Sequence, residues 1–110
     1  MKILKQLYQG DVSLMSVDEF DNVTQKSNKP IVVAEGETSG HKHQVLPTCA
    51  DTVLEYDFDI DTCQFYLRVS GAPAEIVHEE HETITLDVGN WVIGRQYEFD
   101  EREEYKKVLD

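Results

Sequence analysis

A small all-β domain, an antiparallel barrel or sandwich, is the fold class that this chain of 110 residues predicts. Three observations predict it. Short runs rich in β-branched and aromatic residues, such as "IVVAEG", "TVLEYDFD" and "CQFYLRVS", recur along the chain, and such residues suit a pleated, half-buried surface. Gly, Pro, Asn and Asp separate these runs at short intervals, as in sandwiches and barrels. No long apolar pattern with helical period is present before the last residues of the chain.

The elements follow in order. Residues 2–8 (KILKQLY) and 11–16 (DVSLMS) flank "QGD", where Gly10 supplies the positive φ of a tight turn, and together they make a first hairpin. Residues 17–30 run from a turn of helix into a polar loop punctuated by Asn28 and Pro30. Residues 31–36 are a β-branched strand, and from His41 to Leu46 polar and apolar residues alternate in part before Pro47 and the "TCAD" loop. Residues 52–59 and 63–70, joined through the acidic "IDT", make a second hairpin. Gly71 and Pro73 break the chain before "AEIVHEEHETITLDV", Asp87 and Gly89 mark another reversal, and "NWVIGRQYEF" is an aromatic-rich last strand. The sum is roughly eight short strands in one domain over residues 1–100. Residues 101–110 form a charged tail. Glu103 and Lys107 stand there in the order that supports a helix, although a segment so charged is equally expected to fray.

Composition narrows the partners. A hydrophobic content of 40% supplies one modest core, while a net charge of −12 repels nucleic-acid phosphates and anionic lipid. Neither nucleic acid nor membrane is therefore an expected partner, since the basic residues are only "KK" near the end and scattered lysines early in the chain. A basic protein partner or a small molecule is the expected class instead. No apolar run approaches the ~18 residues of a membrane span, and "MKILKQLYQGDV" lacks the apolar centre of a secretory signal, so the expected location is the cytoplasm. Cys49 and Cys63 make no CxxC pair and are expected to be reduced, buried thiols.

All four histidines fall in two short windows, "GHKHQV" and "IVHEEHETI". Residues i and i+2 of a strand share a face, so His41 and His43 can aim two imidazoles at one point. Neutral imidazole binds divalent transition metals through one ring nitrogen. His78 and His81 stand three apart, which puts them on opposite faces of a regular strand; either "HEEH" lies in a turn or bulge, or His78 alone joins the site. The expected metal ligands are His41, His43, His78 and His81, for Zn, Ni, Fe or Mn without distinction. Glu79 and Glu80 lie between the second pair and suit a ligand, an outer acceptor orienting a histidine, or a general acid or base. An enzyme built this way is metal-dependent, with Glu79 or Glu80 moving the proton. The opposing account leaves the histidines paired with surface carboxylates. Asp57, Asp59 and Asp61 alternate like a calcium loop, but Thr62 replaces the needed Gly and Arg68 the final Glu. No Gly-rich phosphate loop or nucleophile elbow occurs. Trp91, Tyr97 and Phe99 read as packing residues.

"GHKH" followed by the Gly-punctuated "LDVGNWVIGRQYEF" resembles the cupin pattern, in which HxH opens one motif and a Gly turn precedes the strand with the last ligand. The resemblance implies a double-stranded β-helix holding a metal. Gln44 to Pro47 bring no carboxylate after HxH, and Gln96 and Tyr97 stand where a later histidine belongs. The chain is also similar to small uncharacterised bacterial and phage proteins with "QGDV" (Gln9 to Val12), "GE-x-x-GH-x-H" (Gly36 to His43), "H-x-E-H" (His78 to His81) and "Q-x-E-[YF]" (Gln96 to Phe99). Two functions are expected in order: a small intracellular metal-binding cupin-like protein with a histidine-cluster site, and a non-enzymatic acidic interaction or assembly module, phage-related, whose histidines are structural. Homo-oligomers are expected with either, because small β domains cover strand edges by association.

Overall fold

The computed structural model describes residues 1–20, 23–35 and 40–95, and the backbone of residues 97–99 and 105–107. Gly36 and Gln96 lie outside the described residues. The chain opens with β1 (Ile3–Gln9) and β2 (Val12–Val17), antiparallel with Gln9 opposite Val12. Gly10 and Asp11 form the loop between them, and Gly10 takes φ +59°. There follow β3 (Gln25–Ser27), β4 (Ile31–Glu35), β5 (Lys42–Pro47), β6 (Val53–Asp59) and β7 (Gln64–Ser70). The second half holds β8 (Ala74–Val77), β9 (Ile84–Leu86), β10 (Gly89–Arg95), β11 (Tyr97–Phe99) and β12 (Tyr105–Lys107).

Besides a two-stranded β11-β12 ribbon, two larger antiparallel sheets result, one six-stranded in the order β1-β2-β10-β7-β6-β3 and one four-stranded in the order β4-β5-β8-β9. They share one core. Val12, Leu14, Leu54, Leu67, Val69, Trp91 and Ile93 come to it from the larger sheet, and Ile31, Val33, Val45, Ala74, Ile76 and Leu86 from the smaller. Most of these sit two residues from the next within a strand, as a one-sided apolar face requires. The all-β antiparallel expectation holds. The sheets do not close into a barrel: β1, β3, β4 and β9 end them.

The chain passes repeatedly between sheets, and the crossings are built from small polar contacts. Thr48 and Thr52 both donate their hydroxyls to the Pro73 carbonyl, at 2.5 and 3.0 Å, tying the β5–β6 link to the β7–β8 link. Gly71 has φ +79°, and a side chain there would collide with the Asp51 carbonyl.

Three local expectations are corrected. No helix occurs among the described residues: residues 17–30 end β2 and contribute β3, which is held to β6 because the Thr24 amide and hydroxyl donate to Asp57 at 2.8 and 2.6 Å. In the tail, Tyr105–Lys107 is a strand with Lys106 opposite Glu98, so backbone pairing to β11 replaces the helical option there; residues 101–104 and 108–110 lie outside the described set. Cys49 and Cys63 are free but exposed. Both sit in links between strands, Cys63 at φ +56° in the β6–β7 turn, away from the alternating inward positions of the strands themselves. No helix among the described residues is long and apolar enough to cross a membrane.

Candidate metal centre

The four histidines come together. Ring centroids lie 4.3 Å apart for His43 and His78, 4.6 Å for His78 and His81, 5.5 Å for His41 and His78, and 6.3 Å for His43 and His81. His41 and His43 therefore share a face, as i and i+2 residues entering β5 should. "HEEH" is part of the loop between β8 and β9, not a regular strand, which brings both of its histidines to the same side. That loop is tightened by the Glu80 amide, which donates to His78 Nδ1 at 3.1 Å. An imidazole nitrogen that accepts cannot carry the proton, so neutral His78 bears it on Nε2.

His43 is fully buried and its tautomer is set by Gln9, a buried residue at the end of β1. Gln9 donates its amide to the Ile76 carbonyl at 3.0 Å and the Glu82 carbonyl at 2.8 Å. With both amide protons on carbonyls, its Oε1 must face His43 Nδ1, 2.9 Å away, and accept from it. His43 Nε2 is then a lone pair. It faces Asp11 Oδ1 at 3.3 Å, and Asp11 is itself fully buried in the β1–β2 loop. The other Asp11 oxygen is bound by the Arg95 guanidinium from the end of β10.

Burial, helped by neighbouring His78, pushes the His43 pKa down to about 4 against the pull of Asp11, which favours a neutral His43. Three buried polar atoms have no hydrogen bond among the described residues: Asp11 Oδ1, His43 Nε2 and His81 Nε2. All three adjoin the first hairpin turn. His81 Nε2 lies over Gly10, where an added Cβ would approach to 2.5 Å. Among the described residues, no three His, Cys, Asp or Glu side chains have their donor atoms already set round one point for a metal ion.

The two glutamates stand on the outer side. Glu79 accepts the Lys42 amide at 2.9 Å, which holds its carboxyl below the ordinary range, and it lies 3.9 Å from His78 Nε2. Glu80 lies 3.7 Å from His41 Nε2 and is well exposed. Neither reaches the Asp11–His43 pair by a contact of the site. The aspartates of "DFDID" serve structure, Asp57 receiving Thr24 and Asp59 receiving the Asp61 amide at 2.9 Å.

Gln9, Asp11 and Arg95 are the site residues that sequence reasoning missed. "QGD" carried a signal, because a hairpin turn needs its Gly but not a preceding buried amide. Arg95 carried none, since its link to Asp11 spans nearly the whole chain. A cavity of about 630 Å³, lined by residues including Phe20, Asp57 and Tyr66, includes none of the four histidines in its wall. A smaller cleft of about 410 Å³ includes Arg95 in its wall.

No curated protein and no solved structure gives a match to this chain. A family model does match, over residues 8–96, a span that takes in Gln9, Asp11, all four histidines and Arg95; the chain belongs to the family described as a domain of unknown function, DUF8820.

Proposed function

We propose that the protein binds a divalent transition metal between Asp11, His43 and His81, and that coordination positions left open on the ion are where a small molecule is bound. One observation carries this reading: the three buried polar atoms without a hydrogen bond at the first hairpin turn. Leaving buried polar groups unpaired costs about 1–3 kcal/mol each, so a native protein that keeps three together has a use for them. The 3.3 Å between His43 Nε2 and Asp11 Oδ1 suits the reading. Two ligands about 2.0–2.2 Å from one tetrahedral or octahedral ion stand about 2.9–3.5 Å apart. The third ligand, His81, is carried on the loop between β8 and β9, and this reading requires that loop to bring its ring to the ion.

In this arrangement Gln9 is the outer partner that fixes the His43 tautomer, a role that ligating histidines regularly require. His78 packs between the ligands with its Nε2 proton outward, and His41 belongs with Glu80 at the rim. Three protein ligands leave room on the ion, the arrangement of catalytic and not structural sites. Glu79, ionised beside the cluster, is then the nearer candidate base and Glu80 the more exposed one. The donor set of two imidazoles and a carboxylate accepts Zn, Ni, Fe or Mn.

The test is elemental mass spectrometry and zinc titration of the untagged chain. About one tightly held zinc per chain is expected, weakened at least ~10-fold by His81→Ala and by Asp11→Asn, and changed less than ~3-fold by His41→Ala. Folded protein that retains no zinc, or a loss confined to His41→Ala, overturns the assignment.

A further inference from the structure

The cleft of about 410 Å³ opens where edge strand β4 meets β10 and the β6–β7 hairpin. Val33, Phe58, Phe65 and Ile93 give it an apolar wall, Arg95 is its one cationic group among the described residues, and the exposed Glu35 also lines it. We propose that this cleft takes a small monocarboxylate with an apolar body, its charged end on Arg95, and that carboxylate and metal bind cooperatively through Asp11. The proposal rests on the metal reading above and adds to it a ligand class and a coupling.

Size and lining favour such a ligand. Pockets for small molecules are concave, mostly apolar and provided with a few polar groups that fix orientation, from about 300 Å³ upward. Arg95 has the planar fork of donors that matches a carboxylate, and among the described residues Asp11 is its recorded ion partner, through one guanidinium nitrogen. Glu35 in the lining disfavours a second negative charge on the ligand.

Charge supplies the coupling. Without metal, Asp11 and Arg95 neutralise each other in a place where Asp11 is fully buried. A divalent ion on the other Asp11 oxygen draws on the same carboxylate and leaves two positive charges in excess, since the histidine ligands are neutral. An uncompensated charge out of water is costly. A carboxylate seated on Arg95 offsets part of it, and a coupling of this kind is reciprocal between the two ligands.

Calorimetric titration of benzoate into the full chain, zinc-free and zinc-loaded, tests the idea. Benzoate is expected to bind the zinc-loaded chain at least about 10-fold tighter, and saturating benzoate to tighten zinc by the same factor. Arg95→Gln removes the difference. Val32→Trp, at an exposed position on the cleft wall, blocks benzoate while leaving zinc binding in its absence unchanged, and it serves alone if the Arg95 variant does not fold. Equal benzoate affinity in both forms, or binding that persists in Val32→Trp, overturns the proposal. Zinc titration without benzoate separates the two claims: no zinc binding removes the metal reading and the coupled cleft together, whereas zinc binding with no benzoate response removes the cleft alone.

Discussion

His43 shows how burial and hydrogen bonding decide a side chain's chemistry together. In an unfolded chain it titrates near 6.5, and in the folded protein near 4. Between those values the unfolded chain holds a proton that the folded one lacks, so stability is full above about pH 6.5 and falls as the pH is lowered toward 4. At ~1.4 kcal/mol per pH unit the loss reaches up to about 3 kcal/mol. Urea unfolding of metal-free protein across that range should show the slope, and His43→Gln should remove it; a flat profile for the unaltered chain would contradict the burial argument. At this same scale the sequence was half legible. Clustering of His41, His43, His78 and His81 was readable because strand period and a turn-forming "HEEH" both act locally. Which nitrogens are left over was not, because that depends on Gln9 reaching carbonyls of Ile76 and Glu82 far along the chain.

Strands and their links divide in the same way. β1–β2 and β6–β7 were readable as hairpins, since Gly10 and the β-branched runs specify turn and face without help from elsewhere. β3 was not readable, because "QKS" has no apolar alternation and is held by Thr24 on Asp57. Nor was the assignment of strands to two sheets, which is decided by crossings such as the one at Gly71. There the left-handed backbone and the adjacent Asp51 carbonyl both exclude a side chain. Gly71→Ala is expected to cost about 2–4 kcal/mol. Gly40 has φ +84° but no described residue within 4 Å of an added Cβ, so Gly40→Ala should cost only about 1–2 kcal/mol. Chemical denaturation of the two variants side by side checks the ordering, and equal losses would mean that the Asp51 contact is not a constraint.

Across the whole molecule a net charge of −12 on 110 residues works against the compact state. Screening should relieve it: raising NaCl from about 10 to 200 mM, which shortens the Debye length from about 30 to below 10 Å, is expected to raise the Tm of metal-free protein by a few degrees. A Tm that falls with salt would show that attractive surface pairs dominate instead. The acidic balance was plain from composition, as was the single core, whereas the open edges that replace a barrel follow from pairings between distant segments. β10 is the clearest case. It lies between β2 and β7, with Trp91 opposite both Ser16 and Leu67, so the larger sheet stays in two pieces until nearly all of the chain has been laid down. Such non-local pairing places folding on the millisecond-to-second scale. Asp11, His43 and His81 are scattered in the same manner, and no short peptide of this chain holds two of them near one another. Under the proposed metal reading the three side chains meet only in the assembled fold, so unfolding the chain and losing the ion are expected to be linked, and added zinc should slow global unfolding.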